Sequence, residues 1–152
     1  MKGILIIMLV SVSIIGLFIW GNNWQNSRVF YFENTDVACL NNGHQNLAFH
    51  IHPQIKITVD GQNEEVPANI GINDTCMSEV HTHDSTGQIH IESINAERLE
   101  QFTLRNFFDV WKQTPEREGY NLEIYFNGES KNSVDEISFV DHSKIELRYT
   151  SK

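Results

Sequence analysis

Between Phe49 and Asp60 the chain reads FHIHPQIKITVD, apolar at odd positions and polar at even ones. Phe49, Ile51, Pro53, Ile55, Ile57 and Val59 alternate with His50, His52, Gln54, Lys56, Thr58 and Asp60. That period of two predicts a half-buried β-strand, and it puts His50 and His52 together on the polar face. Asp60-Gly61 supplies a turn, and Pro67 and Gly71 in the run to Ile72 predict an edge strand or loop beyond it.

A second alternating stretch, EVHTHDSTGQIHIE from Glu79 to Glu92, predicts two short strands around a turn opened by Asp84 and closed by Gly87. With Asp84 facing Gly87, His83 lies opposite Gln88, Thr82 opposite Ile89, His81 opposite His90 and Val80 opposite Ile91. Val80, Thr82, Ile89 and Ile91 then share one face, and His81, His83, His90 and Glu92 share the other. A one-residue bulge at Gly87 would break that apolar alternation, and a register slip is costly where one face is buried.

All seven histidines fall between His44 and His142, five of them in these strands. Residues two apart on one strand, and opposite residues on its neighbour, stand close enough to reach a common ion. Imidazole suits zinc, copper, iron and nickel. Three or four of His50, His52, His81, His83 and His90 are therefore expected to hold one transition-metal ion, copper or zinc, with Asp84 and Glu92 as outer partners that orient a ring. A solvated or pH-responsive histidine surface is the competing reading. His44 and His142 sit in the turn-like contexts NNGHQN and VDHSK and receive no role.

The compartment follows from Gly3–Trp20, an 18-residue run without a charge, long enough to cross a bilayer as a slightly short helix. Lys2 precedes it, so the positive-inside bias exports everything after Trp20, and Phe18, Ile19 and Trp20 offer no small-residue cleavage site. The expected organisation is a membrane anchor over residues 1–20, a stalk over 21–38 and an extracytoplasmic domain over 39–152. The whole chain carries 11 Lys+Arg against 20 Asp+Glu, a net charge of −9 that excludes electrostatic binding of nucleic acid and favours cations. Cys39 and Cys76 both lie in the exported part, where an oxidising environment favours a disulfide. The alternative keeps one or both as thiolate metal ligands.

From Asn95 to Gln113 the chain predicts a helix whose stripe is Leu104, Phe107, Phe108 and Trp111, with Thr103 a plausible N-cap and Pro115 beyond its end. Leu122–Phe126 alternates ahead of Asn127-Gly128, and Glu136–Tyr149 predicts two more strands around Asp141-His142-Ser143-Lys144. Strands, one amphipathic helix and strands again give an α+β fold, a mixed or antiparallel sheet covered on one face by that helix. IKITVDGQNEEV and LEIYFNGESKNS are weakly alike, too short a match to establish a repeat.

Taken together, HIHPQIKITVDGQNEEVPANIGI, CMSEVHTHDSTGQIHIES and FTLRNFFDVWK resemble a group of uncharacterised exported archaeal and bacterial proteins. These share an H-x-H strand, a Cys shortly before HTHD, G-x-IHIES and an FFDVW helix. The resemblance spans about residues 39–112 and implies no particular activity. The C-terminal stretch, LEIYFNGE through KIELRYT, resembles the last strands of β-grasp domains. The cupin likeness stops at the H-x-H pair, since no Glu lies within Pro53–Ile57 or Asp84–Gln88. A cupredoxin-like Cys before His exists at Cys76 and His81, but Met77 lies on the wrong side.

The expected function is a membrane-anchored extracytoplasmic domain that delivers, buffers or senses copper or zinc, its partners the membrane and a metal-donor or acceptor protein. Methionine occurs only at Met1, Met8 and Met77, against a methionine-rich copper(I) carrier. One alternative is a zinc hydrolase or hydratase with three histidines on the ion and Glu79 or Glu92 as base. The other is a metal-free tethered interaction domain.

Overall fold

The structure is a computed structural model and describes residues 29–40 and 43–152. The predicted anchor and residues 21–28 of the predicted stalk lie outside the described residues. Among the described residues no helix is long and apolar enough to cross a membrane. The fold is α+β and dominated by sheet.

The alternating run at 49–60 does not form one strand. It breaks at His52-Pro53 into β1 (Phe49–Ile51) and β2 (Gln54–Val59), which belong to different sheets. Pro53 has no N–H for a ladder, and the neighbouring His52 N–H donates to the side-chain Oδ1 of Asp141 at 2.8 Å. The alternation itself survives: Pro53, Ile55 and Ile57 are buried, and His50 and Lys56 are exposed.

β2 opens a five-stranded mixed sheet. Asp60 and Gly61, both at positive φ, turn the chain into the short edge strand β3 (Gln62–Glu64). Asn127 and Gly128 make the same kind of turn between β8 (Tyr120–Phe126) and β9 (Glu129–Lys131). The last strand, β10 (Lys144–Ser151), lies between the two hairpins, parallel to β2 and antiparallel to β8. The two weakly similar segments are thus the two hairpins flanking β10. In the order β3-β2-β10-β8-β9, Ile55 meets Ile145 and Ile57 meets Leu147, and all four are buried.

A two-stranded ribbon, β4 (Ile72–Asn73) and β5 (Cys76–Met77), leads to β6 (Val80–His81), which pairs with β7 (His90–Ser93). With β1 they form a three-stranded sheet, ordered β1-β7-β6. Val80 faces Ile91 and His81 faces His90, the expected register. Beyond them the ladder opens. Thr82 N–H donates to Ile70 O, Ile89 N–H donates to Pro53 O, and Gln88 pairs with Gln54, so the expected Thr82–Ile89 and His83–Gln88 pairs are replaced by bonds to neighbouring segments.

Gly87 makes this docking possible. Its φ is +81°, its carbonyl accepts the Ile55 N–H at 2.8 Å, and a Cβ added there would lie 2.3 Å from Ile55 O. Gly87→Ala should therefore cost about 2–4 kcal/mol, combining left-handed strain with a backbone collision. Urea unfolding measures the loss, and a stability equal to wild type would show that the turn does not need to touch β2.

The predicted helix is shorter than expected. Asn95 accepts the Glu97 N–H and opens a 3-10 segment, Ala96–Gln101, that has no buried residue. α1 (Leu104–Trp111) starts only after Thr103, whose hydroxyl and backbone N–H both lie against the Asn106 side chain. Its inner side is Leu104, Phe107, Phe108 and Val110, with Trp111 half-buried. Of the two strands expected over 136–149, only β10 forms; Val134–Glu136 is a 3-10 turn, and Ser138 makes an isolated bridge to Thr103. Residues from both larger sheets and α1 share one core.

Phe32, Val37 and Ala38, in the segment expected as stalk, are buried. Cys39 and Cys76 form a disulfide across 37 positions, which corrects the thiolate-ligand alternative for both sulfurs. Closing a loop of that length stabilises the fold by about 3–4 kcal/mol in the chain-entropy treatment.

Candidate metal centre

The small sheet gathers the rings. His50 on β1 faces Glu92 on β7, and His90 on β7 faces His81 on β6, so the three strands project four candidate ligands from adjacent rows. His52, two positions after His50, and His83, two after His81, extend the rows past the strand ends. His50 and His52 have ring centroids 4.3 Å apart, His52 and His90 4.8 Å, His83 and His90 4.6 Å, and His81 and His83 4.7 Å. The five histidines named from the sequence therefore converge. Two groups within them have ligand atoms close enough to hold an ion: His81, His83, His90 and Glu92, and His50, His52 and His90.

Glu92 lies at the bottom of the cluster, fully buried. Its Oε2 is 2.7 Å from His44 Nδ1. Its Oε1 is 2.8 Å from His50 Nε2, 3.5 Å from His90 Nδ1 and 3.9 Å from His81 Nε2, yet no group donates a well-directed hydrogen bond to it. A buried carboxylate oxygen without a donor is costly, and a bound cation is one of the few things that offsets that cost. Expected as an outer partner, Glu92 instead points at the space between the ring nitrogens.

His81 is oriented for the same space. Its Nδ1 is 2.8 Å from Ser78 O, and because a carbonyl only accepts, Nδ1 carries the proton and Nε2 presents a lone pair. Nε2 lies 3.1 Å from His83 Nε2. Burial holds the His81 pKa down at about 3, helped by the His83, His90 and His44 rings and opposed by the bond to Ser78. His90 is lowered to about 4, first by burial and then by His83, His52 and His50, against the pull of Glu92. His50 is lowered as well, chiefly by burial and against Glu92. All three are neutral at pH 7, the state in which imidazole binds metal.

The burial is graded. His81 and Glu92 have no exposed side-chain surface, His90 has 14%, His52 27%, His50 36% and His44 49%. The centre has a closed floor and an open rim. Four clefts on the described surface have no histidine in their walls.

Two residues expected near the site are engaged elsewhere. Asp84 is exposed, and its Oδ1 takes the Thr86 N–H at 2.9 Å and the Thr86 hydroxyl at 2.5 Å, so it shapes the turn instead of orienting a ring. Glu79, the alternative base, accepts from Ser93 Oγ and the Ala38 N–H and pairs with Arg98 at 3.1 Å.

Sequence reasoning missed two others. His44 reaches Glu92, with its ring centroid 5.5 Å from that of His83. Asp141 holds the His52 backbone, and the adjacent His142 ring stacks 6.4 Å from His52. Neither lies in an alternating strand, and a loop residue carries no periodicity from which its direction can be read. No protein-family model, curated protein or solved structure matches the chain.

Proposed function

We propose that this chain is a membrane-anchored extracytoplasmic domain that binds copper or zinc through its histidine cluster and delivers, buffers or senses the metal. The observation that carries the reading is the buried Glu92 Oε1, without a hydrogen-bond donor and surrounded by the nitrogens of His50, His81 and His90. A carboxylate and several neutral imidazoles form a donor set suited to borderline divalent ions. The charge-free run Gly3–Trp20 supports the anchor, and export supports the compartment in which a Cys39–Cys76 bridge persists.

Handling of the ion is favoured over a zinc hydrolase because the outer rings, His44 and His50, lie on an open rim, whereas a small-molecule substrate is usually held in a concave, largely apolar pocket. An exposed rim lets a partner protein approach the ion directly. What supports the β-grasp likeness of the C-terminal strands is the parallel pairing of β2 and β10 between two hairpins.

Metal analysis of the purified full chain is the test. The wild type should retain or acquire stoichiometric zinc or copper, and His50→Ala combined with His83→Ala should reduce it to background, with circular dichroism reporting that the fold persists. A wild-type chain that takes up neither metal would end this reading.

A further inference from the structure

Donor counting raises the question of how many ions the cluster serves. A tetrahedral ion takes four ligands, and an exchangeable site commonly takes three from protein. Here six side chains, His50, His52, His81, His83, His90 and Glu92, offer ligand atoms in two groups that have only His90 in common. His44 adds a seventh donor against the outer oxygen of Glu92.

Nitrogen spacing points the same way. Two imidazole nitrogens on one tetrahedral ion, with bonds of about 2.0–2.1 Å, stand about 3.3 Å apart. Two pairs in this cluster are already near that separation: His81 Nε2 and His83 Nε2 at 3.1 Å, and His50 Nε2 and His90 Nδ1 at 3.0 Å. The pairs come from different strand ends, β6 for the first and β1 with β7 for the second. His52 stands 4.3 Å from His50 and 4.8 Å from His90, ring centre to ring centre, and completes a triad with the second pair. Between the pairs lies the Glu92 carboxylate, whose Oε1 is within 3.9 Å of a nitrogen from each. His44 at Oε2 holds the carboxylate in that position.

We propose that the cluster holds two metal ions, one on His81, His83 and Glu92 and one on His50, His52 and His90, with the Glu92 carboxylate shared between them. This rests on the metal-binding reading above and extends it to stoichiometry and to the division of ligands. The His81 ion then has three protein ligands and one open position, and the His50 ion has four with the shared carboxylate counted. The His81 site has the buried floor beneath it, and the exposed His83 and His50 rings bring both ions to the rim.

The test is a Zn²⁺ titration of the full chain, with bound metal counted after desalting. Wild type should bind two Zn²⁺ per chain. His52→Ala should bind one, lost from the His50 site, and His83→Ala should also bind one, lost from the His81 site. One Zn²⁺ in the wild type would overturn the two-ion assignment while leaving the metal-binding reading intact; none would overturn both.

Cu²⁺ provides a readout that does not depend on how well the variants fold. At two equivalents the wild type should show the broadened, spin-coupled resonance of ions sharing a carboxylate, a separation of about 3.5–4 Å in two-metal sites. Two independent signals of full intensity would exclude Glu92 as a shared ligand and overturn the proposal.

Discussion

Glu92→Gln should lower the affinity for Zn²⁺ by about 100-fold or more and leave the metal-free domain at least as stable as the wild type. The two effects have opposite signs because the carboxylate plays opposite parts in the two states. Without an ion, Oε1 is a buried anionic oxygen with no donor directed at it, a destabilising arrangement. Glutamine keeps the shape, removes the charge, and retains a carbonyl oxygen that can accept from His44 at the Oε2 position. With an ion present, the same charge is what the metal needs, and a neutral amide replaces it poorly. Competition titration with a chromophoric chelator reads the affinity, and urea unfolding of the chelated protein reads the stability. A structural role would produce the reverse result, with unchanged affinity and a metal-free protein weakened by several kcal/mol.

Acid should unfold the metal-free domain well above the pH at which its carboxylates titrate. His81 has an ordinary value of 6.5 and is held near 3 in the fold, with burial as the main cause. Between those values the unfolded chain carries a proton that the native ring refuses, so protonation favours unfolding. The contribution of His81 is fully present above about pH 6.5, shrinks as the pH falls toward 3, and changes no further below that. It is on the order of 3–5 kcal/mol, and His90, lowered to about 4, adds in the same direction.

Denaturant unfolding at pH 7, 6, 5 and 4 should show this slope in the wild type and a shallower one in His81→Asn. Equal slopes would remove His81 from the explanation. The same depression makes protons weak competitors for the ligands, so Zn²⁺ should stay bound near pH 5.5, where ordinary imidazoles are mostly protonated. Release already complete at pH 6 would contradict the burial of the floor.

The site was more legible in the sequence than the fold around it. Alternation placed His50 with His52 and His81 with His83 on polar faces, because side-chain direction along a strand has a period of two whatever sheet the strand joins. It also yielded the Val80–Ile91 and His81–His90 register, since a slip would have turned the apolar residues outward. Both Asp60-Gly61 and Asn127-Gly128 were readable as turns, because few residue pairs accept two positive φ angles. The helix was harder. The stripe from Leu104 to Trp111 was visible, but Ala96–Gln101 carries enough helix-forming residues to look like its first turns, and the Thr103 cap decides otherwise.

What the sequence determined by itself was local: which residues face together along a strand, where the chain reverses, and that two H-x-H pairs and His90 lie on polar faces. Tertiary structure decided which of those faces meet. The break at His52-Pro53 depends on an Asp141 that is 89 positions away, and the docking of Gly87 depends on the Ile55 N–H of β2, which donates to its carbonyl. Placement of His44 against Glu92, and burial of that carboxylate among the imidazoles, likewise arise from long-range packing. Periodicity records direction relative to the chain's own axis, whereas a metal centre requires distances between segments, and those exist only once the core has closed.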